Sequence, residues 1–249
     1  MSKLDKYIRL NIKMIGNCTG VACAMSLAIG LTAVNFAVII FAVVFLGISI
    51  AALIKGYKRL YYTTLYEEAA YVYNSLPLDP KEVLAGKLFA GSFMMTMYNV
   101  STLAMYGVML LMAGDSIIFS TDMFWPSENT LTSLLASSIA SDMLPFALPF
   151  EALSMITGAV LISAIIMFGV IFANSPPAPG KGVTAVILCI ILYIVLFRGA
   201  PKTAEWLSID YSPLLPLAQS LINAAATAVL FGYSCKRLEK KYYAAVRRK

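Results

Sequence analysis

Apolar runs of about 15 to 25 residues, broken by short charged stretches, set the strongest limit on what this chain can fold into. At about 1.5 Å rise per residue such a run spans the roughly 30 Å hydrocarbon core of a bilayer as a helix. Helix is the required form, because an unpaired backbone amide in lipid costs several kcal/mol and a helix satisfies its own. The chain is 60% hydrophobic and 13% charged, against roughly 25% charged in soluble domains, so water is not its main solvent. The expectation is an all-α integral membrane protein of about six transmembrane helices, built as a single transmembrane domain over 1–249.

The uncharged stretch 14–54 is too long for one crossing and suits two, joined by a turn near Gly30 to Asn35. Further spans are expected at 88–112, 153–173, 183–197 and 217–233. Outside them lie 1–13, the segment 55–87, outer loops at 113–152 and 198–216, and a basic tail at 234–249. The opening MSKLDKYIRLNIK is charged throughout and is not followed by a small-residue cleavage site, so it is expected to be retained. The four cysteines, Cys18, Cys23, Cys189 and Cys235, have no metal-ligand spacing and are expected to pack.

Orientation follows from Lys and Arg, which stay on the cytoplasmic side. With both termini inside, the inner segments hold nearly every cation, from Lys3, Lys6, Arg9 and Lys13 through Lys55, Lys58, Arg59, Lys81 and Lys87 to the tail. The outer loop between the third and fourth spans has Asp115, Asp122, Glu128, Asp142 and Glu151 and no cation. This asymmetry accounts for the net charge of +6, and the basic segments suit anionic membrane lipid better than nucleic acid. The expected location is a membrane crossed several times, with both termini in the cytoplasm.

Leu4, Ile8, Ile12 and Ile15 recur at helical spacing while Lys6, Arg9 and Lys13 take another face, the pattern of an amphipathic interfacial helix. An ordinary cationic flank would also fit. The longest inner segment, KGYKRLYYTTLYEEAAYVYNSLPLDPKEVLAGK, carries a helix start: Asp79 as cap, Pro80 at the first position, and Glu82 three residues after the cap. Residues before a proline avoid the helical region, so Leu76 and Leu78 are presented in extended chain beside that start. A functional segment and a purely structural loop fit this pattern equally. The outer TLTSLLASSIASDML reads as an amphipathic helix, and SPPAPGKG as a stiff inner connector.

The chain has no histidine, which removes Ser-His dyads and HExxH zinc sites. Glu67-Glu68 lack the arginine and histidines that a CAAX-type membrane protease requires. No ionisable residue sits in the middle of any expected span, so coupling through a buried carboxylate is not expected. Gly180-Lys181-Gly182 lacks the Ser or Thr and the upstream glycine of a phosphate loop. The chain is therefore read as no enzyme, with no catalytic, cofactor or metal site of its own. In the third span Tyr98, Asn99, Ser101, Thr102 and Tyr106 either bond between helices or line a pathway. Gly16, Gly20, Ala24 and Ala28 share one face of the first span, either as a subunit interface or as packing within one chain.

The layout and the stretch LYEEAAYVYNSLPLDPKEVLAGKLF together resemble the membrane-spanning (permease) subunit of bacterial ATP-binding-cassette (ABC) transporters of the second exporter family (ABC-2 type). The resemblance covers nearly the whole chain and rests on an acidic residue, an SLP tripeptide, a short helix and a Gly-Lys leading into the third span. It implies a coupling helix between the second and third spans, seated in a groove of a cytoplasmic ATPase that carries the ATP and Mg. Leu76, Pro77 and Leu78 would fix the approach, Asp79 and Pro80 start the helix, Lys81, Glu82 and Leu84 touch the ATPase, and Gly86-Lys87 join it to the third span. It also implies a second permease subunit, with the first and fifth spans near the interface. The family's re-entrant outer helices between the fifth and sixth spans have no counterpart in the short RGAPKTAEWLSIDYSPLLP. The alternatives are a membrane component that captures a vitamin and a non-transport scaffold.

A cytoplasm-dependent fluorescent protein fused after Lys249 is expected to fluoresce, and a phosphatase active only outside, fused after Glu128, is expected to work; the opposite pair of results would invert the orientation.

Overall fold

The computed structural model describes residues 3–33, 39–66, 79–113, 144–174, 184, 187–195 and 214–246, and every element among them is helical. Helix α1 (Lys3–Ala33) has no proline along its length and carries Asp5 in its first turn, where a carboxylate suits the helix dipole. Helix α2 (Ile39–Tyr57) is apolar on every face; it passes into a π-helical turn (Lys58–Thr63) and ends in one further helical turn (Thr64–Tyr66). Helix α3 (Pro80–Ala113) starts on its proline. Val83 N–H donates to the Asp79 carbonyl at 3.0 Å, and Glu82 Oε2 accepts from the Asp79 N–H at 3.2 Å, the reciprocal half of the cap. Helix α4 (Leu144–Ala173) carries Pro149 inside it, α5 covers 187–195, and α6 is Leu214–Val246.

Three stretches, Lys3–Ile29, Ile40–Tyr66 and Pro149–Ala173, are long and apolar enough to cross a membrane. Their packing agrees: Ile40 is 71% exposed, Val43 64% and Ile54 63%, on a helix with almost no polar side chain to offer water. Apolar surface on that scale is stable in lipid, not in solution.

Pairs of touching residues give the helix directions. Tyr7 lies against Gly86 and Ser26 bonds Thr102, so α1 and α3 run parallel. Ser49 donates to the Ala22 carbonyl and Gly56 lies against Cys18, so α2 returns antiparallel. Asn223 meets Thr157 and Tyr233 meets Phe168, so α4 and α6 run parallel to each other. The Lys81–Glu239 ion pair sets the far end of α6 beside the start of α3. One end of the bundle therefore gathers the start of α1, the foot of α2, the start of α3 and the last turns of α4 and α6. Every cation whose side chain is described lies there: Lys3, Lys6, Arg9, Lys13, Lys55, Lys58, Arg59, Lys81, Lys87, Lys236 and Arg237.

The segment 1–13, expected as a separate interfacial helix, is continuous with the first crossing from Lys3. No breaker stands between Lys13 and Met14, and the apolar face is covered by protein: Ile15 is buried, and Ile8 reaches the start of α3 at Gly86. Likewise the short helix expected from Pro80 is the first turns of α3, which at 34 residues is about 51 Å long, well beyond the roughly 30 Å bilayer core. Helix α4 begins at Leu144, ahead of the expected 153, and α6 runs on into the basic tail. Of the turn expected near Gly30 to Asn35, residues 30–33 belong to the end of α1; residues 34–38, 67–78, 114–143, 175–183 and 196–213 lie outside the described residues.

Three glycines let the helices close at the cation-rich end. A Cβ on Gly91 would come within 2.5 Å of the Tyr61 hydroxyl oxygen and 3.3 Å of Ser163 Oγ; one on Gly86 would meet the Tyr7 ring at 2.7 Å, and one on Gly56 the Met94 sulfur at 2.7 Å. Gly16 and Gly20 have open space around them. Gly91→Ala is expected to destabilise the chain by roughly 1–3 kcal/mol through overpacking, whereas Gly20→Ala leaves thermal unfolding in detergent unchanged or slightly raised. Equal effects of the two would refute the close-approach role.

Candidate functional site

The site expected from sequence divides into an outward and an inward part. Leu76, Pro77 and Leu78 lie outside the described residues. From Asp79 onward the chain is the capped start of α3: Asp79, Lys81 and Glu82 are exposed and Pro80 is half-buried. Leu84 and Lys87, both 0% exposed, turn into the bundle, which leaves them no area to offer a second protein. The outward edge is thus Asp79, Lys81 and Glu82, with Lys81 Nζ 3.6 Å from Glu239 of α6. With Lys81 69% exposed this pair contributes about 0–1 kcal/mol and does little to hold the tail of α6.

The inward part is a polar joint centred on Lys87. Its Nζ donates to the Leu60 carbonyl at 2.9 Å and to Thr64 Oγ1, and lies 5.9 Å from the centroid of the Tyr7 ring. Thr64 Oγ1 itself donates to the same Leu60 carbonyl at 2.6 Å. Leu60 stands within the π-helical turn and Thr64 just past it. A π turn inserts a residue and disturbs the regular carbonyl ladder, so a carbonyl there is open to an outside donor. Lys87 lies in none of the three stretches long and apolar enough to cross a membrane; burial brings its amine down from the ordinary 10.5 to about 7. Either protonation state retains hydrogens for the two bonds.

One turn on, Tyr57 and Tyr61 stack with ring centroids 5.9 Å apart and 11° between planes. The Tyr61 hydroxyl donates to the Lys87 carbonyl at 3.4 Å; the Tyr57 hydroxyl reaches the Gly91 carbonyl at 3.3 Å and Ser163 Oγ of α4 at 3.0 Å. Four helices, α1 to α4, thus meet within two turns, all at the cation-rich end. On α6, Arg237 donates to the Tyr233 hydroxyl at 2.7 and 2.9 Å and stacks over Phe172.

The third-helix polar set does not gather into a lining. Ser101 and Thr102 hydroxyls donate back to the Tyr98 carbonyl at 2.8 and 3.0 Å, and Thr102 also meets Ser26 of α1 at 3.1 Å. Tyr98 and Asn99 are half-buried, and the Tyr106 side chain lies outside the described residues. A cavity of about 500 Å³ lies between α4 and α5, lined by apolar residues such as Ile162, Ile166, Val170 and Ile190, with Asn174 and Cys189 among them. Among the described residues no three His, Cys, Asp or Glu side chains gather to hold a metal.

Sequence reasoning missed Tyr7, Tyr57, Tyr61, Thr64 and Ser163. The available signal was Lys87 itself, a lone cation in the apolar surroundings LAGKLFAG, and the tyrosine spacing of four in GYKRLYY. The Thr64 hydroxyl and the Lys87 amine beside it are both 0% exposed, and the donors and acceptors of the joint interlock to tie α3 to the end of α2. Comparison of the chain with known protein families, curated proteins and solved structures finds no match.

In a cycle of Tyr57→Phe, Ser163→Ala and both together, unfolding in detergent is expected to show a coupling of about 1 kcal/mol, whereas Lys81→Ala costs less than about 1 kcal/mol. Strict additivity of the first pair would remove the Tyr57–Ser163 bond from the joint.

Proposed function

We propose that this chain is the permease subunit of an ATP-driven exporter of the ABC-2 kind, moving a peptide, antibiotic or other amphiphile outward and driven by a separate cytoplasmic ATPase. In this reading the chain makes six crossings, the cation-rich end faces the cytoplasm of a bacterial inner membrane, and two permease subunits enclose the pathway. ATP and Mg belong to the partner. The orientation is supported by the collection of all described Lys and Arg side chains at one end of the bundle.

The observation that carries the reading is the build of α3: a capped, outward-facing edge at Asp79, Lys81 and Glu82 at one end of an unbroken 34-residue helix whose next turns are locked to α1, α2 and α4. An exposed edge on a stiff rod is a lever. Closure of an ATPase pair would press on that edge, and the rod would carry the displacement into the membrane; the partner's two states must contact the edge differently for this to do work. A vitamin-capturing component would need a polar pocket, and the cavity between α4 and α5 is almost wholly apolar.

The test is copurification with a soluble ATPase from a native membrane extract. The wild-type chain is expected to retain a nucleotide-hydrolysing partner, and Lys81→Glu with Glu82→Lys is expected to release it while membrane insertion is unchanged. A chain that transports substrate without any such partner would sink the reading.

A further inference from the structure

Lys87 is an unusual residue to bury completely at a helix junction, and the contacts around it bear on how a push would spread. Its stem crosses from α3 to the end of α2, where Nζ donates to the Leu60 carbonyl within the widened turn and to the Thr64 hydroxyl just past it. Those two acceptors are themselves joined, because Thr64 Oγ1 donates to the Leu60 carbonyl, so Nζ closes a three-membered ring of bonds. The remaining side of the amine faces the Tyr7 ring of α1, where a cation gains from the negative face of an aromatic. Tyr7 in turn sits directly over Gly86, the residue before Lys87. Lys87 also receives the Tyr61 hydroxyl on its own carbonyl. Thus backbone and side chain of one residue bind α3 to the end of α2 by three hydrogen bonds and to α1 by one ring contact, five residues beyond the exposed Glu82.

We propose that Lys87 is a positioning residue, the pin that fixes the start of α3 to the π-helical turn of α2 and to Tyr7 of α1, so that a displacement of the Asp79–Glu82 edge moves three helices together. Its importance for transport rests on the lever reading above; the pin itself is a property of this chain and is testable without a partner. Hydrophobic packing alone would let α3 slide along its neighbours, because apolar contacts are non-directional. A buried donor held by two acceptors is not free to slide: leaving it unmade strands a polar group away from water. A lysine suits the place because its ammonium is compact and its flexible stem spans the seam, whereas a planar guanidinium would need a wider site.

The experiment is hydrogen exchange, read by mass spectrometry, on the full chain in lipid nanodiscs, comparing wild type with Lys87→Met, Thr64→Val and the double variant. Lys87→Met keeps the stem volume and removes the donor. The expected result is exchange about tenfold faster at 58–66, at 80–87 and at the start of α1 in each single variant, the loss that follows one bond from a charged or buried donor. Rates along α6 should stay at wild-type values, and the double variant should be no faster than Lys87→Met, since both substitutions break the same ring. A merely space-filling lysine would instead give unchanged rates in Lys87→Met, or additive effects of the two substitutions, and either result overturns the pin. Should Lys87→Met fail to insert, Thr64→Val decides alone: faster exchange at 80–87, on the other helix, supports the pin and unchanged exchange there rejects it. A chain that passes this test yet retains no ATPase would keep its pin and lose the exporter reading, so the two failures are separable.

Discussion

The close approach of α1, α2, α3 and α4 at the cation-rich end governs the rest of this structure. Between apolar helices in lipid there is no hydrophobic force to bring faces together, so association depends on surfaces that fit and on polar groups that find partners. Gly56, Gly86 and Gly91 supply the fit by leaving room for Met94, Tyr7 and Tyr61. The Tyr57 and Tyr61 hydroxyls then reach backbone carbonyls on α3 that a bulkier residue at Gly91 would push out of range. Without those approaches the lysine at position 87 would have no acceptors within reach and its burial would carry an uncompensated cost.

The same end shows how two kinds of polar interaction divide the work. The Lys81–Glu239 and Arg9–Asp5 pairs are solvent-facing, at 3.6 and 3.5 Å, and contribute little to holding helices in place. The buried hydrogen bonds are directional, and they decide the register of one helix against the next. An exposed, weakly held edge above a buried, strongly held joint is an arrangement in which the surface can adapt to a partner while the interior transmits displacement.

How much of this was visible in the sequence varies by element. The first two crossings, the start of the third helix at Pro80 and the long apolar helix ending at Ala173 follow from run length, caps and the absence of breakers, and these are local properties. Three stretches are long and apolar enough to cross a membrane; about six crossings stays with the proposed reading. What local pattern did not give was continuity: 1–13 reads as an interfacial helix and the stretch from Pro80 as a short one, but each belongs to a longer rod, with Tyr7 and Ile15 of the first and Val83 and Leu84 of the second buried in the bundle. The joint was legible only in its outline. Lys87 was read as a connector to the third span, and its role depends on Leu60, Thr64 and Tyr7, three residues from two other helices that only tertiary packing brings to it. The π-helical turn that opens the Leu60 carbonyl has no local signature among KRLYYT.

The unbroken run of α1 from Lys3 to Ala33 has a bearing on how this protein is handled at its N-terminus. A rod of about 46 Å without a hinge cannot absorb twist in its first turns. Torque applied near Lys3, by a bulky tag or by adhesion of those cations to a charged headgroup, is conveyed along the whole shaft to the opposite leaflet. The N-terminal quarter of α1 is therefore a handle on the rest of that helix.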